Sequence, residues 1–100
     1  MIVYNISMKV ETAIEMEWVS WQKKEHIPQM MATGQFIDYK FYRLLEEETD
    51  ASTYIVQYFA LDIQHYNKYI DFFAEDLRQK AFDKWGNKFI SFRSVMQLVN

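Results

Sequence analysis

His26 stands in the segment Trp18-x-x-Trp21-x4-His26-Ile27-Pro28 and is one of two histidines in the chain. An imidazole set among apolar residues is well suited to exchange a proton near neutral pH. Two readings of it stay open. In one, it is a core histidine satisfied by a backbone carbonyl that Pro28 leaves unpaired, or a loose cap at a helix end. In the other, it faces a cavity and acts as a general base in catalysis. His65 falls in the first turn of a later helix, where the dipole opposes its protonation, and reads as a surface residue. Arg43 and Arg93 are suited to hold a carboxylate or phosphate through two parallel N–H donors. The competing reading pairs them with Glu46 to Glu48 or with a second subunit. Trp18 and Trp21 read either as core or as an apolar platform for a ligand. Asn5 and Gln57 are amides inside strand-like stretches and need hydrogen-bond partners wherever they are buried.

Several chemistries are excluded at once. The chain has no cysteine, so disulfides, thiolate metal sites and a cysteine nucleophile are out of reach. Two histidines without clustered carboxylates make no dedicated metal site. No glycine-rich phosphate loop and no arguable Ser–His–Asp spacing occurs, and no cofactor is expected. The formal net charge of −3 disfavours a nucleic-acid partner, which would call for a basic face. No apolar run is long enough for a membrane span. The opening Met1-Ile2-Val3-Tyr4-Asn5 lacks the basic start and apolar stretch of a signal peptide, so a cytoplasmic location is expected.

The elements that must position these groups follow from periodicity. Ile2, Tyr4, Ile6, Met8 and Val10 alternate with Val3, Asn5, Ser7 and Lys9, the period of a half-buried strand. Thr12-Ala13-Ile14-Glu15 fits a capping box, opening a helix that runs to Thr33 and ends on Gly34. Pro28 should bend that helix or split off its last turn. One helical stripe groups His26 with Met16, Val19 and Met30; a second groups Trp18, Trp21 and Ile14. Gln35 to Glu46 reads as a second strand, Glu46 to Ser52 as an acidic loop, and Thr53 to Ala60 as a third strand. Asp62 is a good N-cap for a second helix whose apolar stripe is Ile63, Tyr66, Ile70, Phe73, Leu77, Ala81 and Trp85. Gly86 ends it, and Lys88 to Val99 closes the chain as a fourth strand.

One hundred residues without a linker make a single domain, residues 1–100. The order βαββαβ predicts an α+β, ferredoxin-like fold, with two helices on one face of a four-stranded antiparallel sheet. The 18 aromatic residues exceed what a small core must hide, pointing to a subunit interface or a ligand cavity. Val3, Asn5, Ser7 and Lys9, Gln57 between Ile55 and Phe59, and Ser91 and Arg93 between Phe89 and Val95 are assigned to the uncovered face. In a homodimer that packs two such faces into a barrel, Asn5, Gln57 and Arg93 line the interior, with Phe41 and Phe59 as apolar walls. RNA-recognition domains share the topology. The third strand, Thr53-Tyr54-Ile55-Val56-Gln57-Tyr58-Phe59, lacks their basic-Gly-aromatic opening.

A resemblance adds to this reading. Met1-Ile2-Val3-Tyr4-Asn5, the Trp18 to Pro28 segment, Met31-Ala32-Thr33-Gly34, Tyr42-Arg43-Leu44-Leu45, Val56-Gln57-Tyr58-Phe59 and Phe92-Arg93 resemble a bacterial family known only as a domain of unknown function. That family is placed among the dimeric α/β barrels. The resemblance implies a fold and a homodimer, and no activity. More distantly, His26-x-Pro28 is similar to a pair in ethyl-tert-butyl-ether-degradation-type proteins. Their superfamily also holds cofactor-free monooxygenases, muconolactone-type isomerases and haem-degrading enzymes. The haem degraders rely on an Asn, Trp and His set; Asn5 and the tryptophans are present, but on the second helix only His65 is available.

Two functional classes are therefore expected. The first is a non-catalytic or regulatory module that binds a small organic molecule. The second is a cofactor-independent enzyme, monooxygenase- or isomerase-like, acting on an aromatic or polyketide-like substrate with His26 moving the proton.

Overall fold

The computed structural model describes residues 1–45 and 50–100, so most of the expected acidic loop lies outside the described residues. Strands β1 (Ile2–Glu11), β2 (Asp38–Arg43), β3 (Ala51–Ala60) and β4 (Phe89–Gln97) form one antiparallel sheet in the order β2-β3-β1-β4. One face is covered by helical segments α1 (Glu15–Trp21), α2 (Ile27–Ala32), α3 (Ile63–Phe72) and α4 (Ala74–Trp85). This is the α+β, ferredoxin-like arrangement that the periodicity predicts.

Alternation in β1 decides which face is covered. Ile2, Tyr4, Ile6, Met8 and Val10 are all buried, and their register partners Ala60, Tyr58, Val56 and Tyr54 on β3 join them in the core. Trp18, fully enclosed, ties three strands together by packing on Phe41 of β2, Tyr54 of β3 and Phe89 of β4. The helices are joined to each other by Trp21 of α1 edge-on to Trp85 of α4, and by the Tyr69 hydroxyl of α3 donating to Met30 Sδ of α2.

The first helical stretch is less regular than expected. A 3-10 turn over Thr12–Ile14 leads into α1, and a π-turn over Gln22–His26 separates α1 from α2. The Ile27 N–H donates to the Gln22 carbonyl five residues back, the wide bonding of a π-turn. Pro28, at the second position of α2, has no N–H to give and its ring crowds the carbonyl four residues earlier; the wider turn relieves both. The expected capping box does not form. Neither the 3-10 turn nor α1 has a side-chain cap, because the Glu15 carboxylate accepts instead from Ser52 Oγ at 2.9 Å and the Tyr54 hydroxyl at 2.6 Å across on β3. Met16, placed on the His26 stripe by spacing, lies on the solvent side at 88 % exposure.

The second helical stretch starts where Asp62 predicts, its carboxylate accepting from the His65 N–H at 3.0 Å. It then breaks at Phe73, whose φ of −128° leaves helical geometry before α4 resumes. The apolar spacing passes through this break without interruption, so the sequence carries no sign of it. Gly34 and Gly86 end the two stretches at φ of 77° and 59°, left-handed values that disfavour any side chain.

The fourth strand corrects one assignment. Its residue facing Ile6 is Arg93, and Phe89, Ser91 and Val95 share that parity, so these four lie on the helix-covered side. The uncovered face of β4 is Ile90, Phe92, Ser94 and Met96. Phe41, expected as a wall of the uncovered face, also turns inward and packs on Trp18 and Tyr54. Both sets on β4 contain aromatic and aliphatic residues, so alternation by itself does not choose between them.

Candidate functional site

The covered face is not packed solid. Between the sheet and the helices lies a cavity of about 280 Å³. Its floor is Tyr4, Ile6 and Met8 of β1 with Phe89, Ser91 and Arg93 of β4; its roof comes from the π-turn, α3 and α4. The π-turn supplies Gln22 and His26, α3 supplies Tyr69, and α4 supplies Arg78 with Ala81 and Phe82. An apolar hollow with a few convergent polar groups is the usual form of a small-molecule site.

His26 is held by stacking on Trp21, with ring centroids 4.7 Å apart and planes 25° from parallel. Its Nδ1 is buried and has no hydrogen-bond partner among the described residues. Burial of the ring, reinforced by the positive charge of Arg93, holds its pKa down at about 4. The imidazole is therefore neutral at pH 7, offering one donor and one acceptor nitrogen.

Gln22, also on the π-turn, is 2 % exposed. Its Nε2 sits 3.6 Å from Met8 Sδ, and its Oε1 has no partner among the described residues. A thioether accepts weakly and donates nothing, which turns the amide nitrogen to the sulfur and leaves the oxygen free.

Arg78 donates from Nη2 to the Tyr4 hydroxyl at 3.0 Å. Arg93 completes a pair of guanidinium groups, and none of the lining residues is acidic. Both arginines are exposed residues, so the charged end of the cavity is its mouth. An anion entering there meets two cations and penetrates toward neutral, hydrogen-bonding groups.

The expected site residues divide between this cavity and other places. His26 and Arg93 line it together, with Trp21 behind His26. Trp18 is core and does not reach it. Arg43 lies at the far end of the sheet face, 3.9 Å from Glu15 and largely exposed. Asn5 and Gln57 are register partners on the uncovered face, where Gln57 Nε2 donates to Asn5 Oδ1 at 3.3 Å. His65 is a surface residue whose Nδ1 lies 2.6 Å from Asp62 Oδ1. No group of three or more side chains able to hold a metal occurs among the described residues.

Gln22, Tyr69 and Arg78 escape sequence reasoning. Gln22 does carry a signal in its spacing: four residues after Trp18 and four before His26, it lies on a buried line. Arg78 follows Leu77 in a charged stretch that reads as solvated helix surface, and nothing local sets it apart.

Comparison with known proteins places the chain. The model of the family described as Domain of unknown function (DUF4286) matches residues 1–99, and the protein belongs to that family. No curated protein matches it. Among solved structures, it is similar to an ethyl tert-butyl ether d (EthD) family protein from Bacillus halodurans C-125, with a TM-score of 0.71, 13 % identity, and 99 % of this chain and 100 % of that one covered. It is also similar to SnoaB, a cofactor-independent oxygenase from Streptomyces nogalater, with a TM-score of 0.70, 11 % identity and coverage of 99 % and 94 %. A dimeric ferredoxin-like protein from an uncultured marine organism gives a TM-score of 0.70 at 10 % identity, covering 99 % of this chain and 96 % of that one. At these identities the likeness is one of fold. No helix among the described residues is long and apolar enough to cross a membrane.

Proposed function

We propose that the protein binds a small organic acid in the cavity of each protomer of a homodimer, as a binding or regulatory module. The observation that carries this reading is the lining itself: an apolar hollow whose charged groups are Arg78 and Arg93, with no carboxylate among them. A volume of about 280 Å³ suits a metabolite below drug size. Arg93 is the principal anchor and His26 a neutral hydrogen-bonding wall. A base with a pKa of about 4 removes protons poorly at pH 7, which favours binding over turnover.

The homodimer is supported by the uncovered sheet face, where Phe92 is 67 % and Ile90 56 % exposed, and by the likeness to a dimeric ferredoxin-like protein. Asn5 and Gln57 then lie at the centre of a mostly apolar interface and satisfy each other.

The test is thermal-shift and calorimetric titration with a panel of carboxylates, including benzoate, hexanoate and short 2-oxo acids, against the protein and Arg93→Ala. Saturable binding to at least one acid that is lost in Arg93→Ala supports the reading. A panel without binders refutes it.

The second reading is a cofactor-independent enzyme with His26 as the proton-transfer group. It is favoured by the Arg93 charge that helps hold His26 neutral: a bound carboxylate neutralises that charge and makes the imidazole a stronger base. Oxygen uptake or product formation with a bound acid, lost in His26→Gln while binding persists, distinguishes it from the first.

A further inference from the structure

Gln22 has no evident reason to be buried. It is 2 % exposed, its oxygen is unpartnered among the described residues, and its nitrogen has only a thioether. A leucine or methionine would fill the same volume without an unmet acceptor, and buried polar atoms without partners are rare in folded proteins. The Gln22 side chain faces the cavity from the π-turn that also carries His26, and that turn is an irregularity a plain helix would not contain. Across the cavity, Tyr4, Tyr69 and Phe89 provide aromatic walls, and the two guanidinium groups stand at the mouth.

We infer that the cavity selects an aromatic acid bearing a hydroxyl group, with the carboxylate held at Arg93 and the hydroxyl donating to Gln22 Oε1. The inference rests on the anion-binding reading above and adds the second polar group of the ligand. A carboxylate alone satisfies the mouth but leaves the inner acceptor unmet. A hydroxyl donor at the inner end meets it, while a methyl ether of the same shape cannot. A bound water is the competing occupant of that acceptor; were it retained, ligands with and without the hydroxyl would bind alike.

The experiment titrates the protein with benzoate, the three monohydroxybenzoates and the corresponding methoxybenzoates, alongside hexanoate, and repeats the series on Gln22→Met, which conserves volume beside Met8. At least one hydroxybenzoate is expected to bind about tenfold more tightly than benzoate, the matching methoxybenzoate to lose that gain, and Gln22→Met to bind that hydroxybenzoate no more tightly than it binds benzoate. The Gln22 side-chain amide resonances of ¹⁵N-labelled protein should move with the preferred isomer and not with benzoate, a readout that stands should the variant fail to fold. Equal binding of benzoate and all three isomers overturns the inference, as does a preference that survives in Gln22→Met or leaves the amide resonances unmoved. Arg93-dependent binding of hexanoate with no binding of any benzoate also overturns it while leaving the anion reading intact. If no acid binds, both fall.

Discussion

The imidazole of His26 and the indole of Trp21 lie five residues apart and nearly face to face, 4.7 Å between centroids. That stacking hides one side of the ring from water, and the π-turn between the two residues brings them into register. The buried imidazole, with Arg93 near it, resists protonation in the folded protein down to about pH 4, whereas in the unfolded chain it gains a proton near the ordinary value of 6.5.

A pH dependence follows with a defined sign. Because the folded-state pKa is depressed, the stability associated with His26 is complete above pH 6.5 and is lost progressively as the pH falls toward 4. The loss should amount to on the order of 3 kcal/mol across that interval. Urea unfolding of the protein and of His26→Phe at pH 7, 6, 5 and 4.5 measures it. The variant should show a flatter profile, and identical slopes would refute the assignment.

Glu15 should govern a second, more acidic segment of the same profile. The Tyr54 hydroxyl, then Ser52 Oγ and the Arg43 charge, hold its carboxyl below the ordinary carboxylate range against the opposing effect of burial. Its contribution is therefore present above pH 4.5 and fades as the pH drops through the lowered folded value. Glu15→Gln should cost about 1–3 kcal/mol at pH 7 and remove this fading, since a neutral amide accepts more weakly and does not titrate there. Tyr54, pushed up to about 12 by burial and by Glu15, keeps its proton to donate throughout the neutral and mildly alkaline range.

Arg93→Ala separates the cavity from the proposed homodimer. It should abolish stabilisation by a bound acid while sedimentation still reports the wild-type assembly, because Arg93 lies on the helix-covered side of β4. Phe92→Asp, one residue away on the uncovered face, should do the reverse by placing a charge in the proposed apolar interface. A monomeric Arg93→Ala or a dimeric Phe92→Asp would contradict the proposal that the covered face binds the acid and the uncovered face the second subunit.

Trp18→Ala should be the most damaging single truncation, at about 3–5 kcal/mol, because the indole fills the space among three strands. Chemical denaturation monitored by far-UV circular dichroism measures it. A loss below about 1 kcal/mol would place the centre of the core elsewhere.

The order and topology of the elements were legible because β1 writes its alternation plainly and because Asp62, Gly34 and Gly86 mark helix ends. The faces of β4 were not. Phe89 and Val95 argue for one parity and Ile90, Phe92 and Met96 for the other, and only pairing with β1 decides between them. Glu15 was misread for a different reason: its local partner, the Thr12 backbone region, competes with Ser52 and Tyr54, which are remote in sequence and invisible to a capping motif. His26 stands out by residue type and by its Trp18 to Pro28 segment, and Arg93 by residue type and its strand position. Their meeting in one cavity depends on the parity of β4, and the presence of Gln22 in its lining depends on the π-turn.

That π-turn also gives one helical stretch two headings. A single extra residue in an α-helix turns everything beyond it by roughly 100°. The stretch before Gln22 keeps Trp18 aimed at the sheet, while the stretch after it sets its own heading for Ile27 and Met30. A family member lacking the wide turn should therefore align with a one-residue gap between Trp21 and Ile27. Deleting Lys24 should remove the wide turn and set His26 four residues after Trp21 instead of five, reshaping the cavity's roof while the domain still folds.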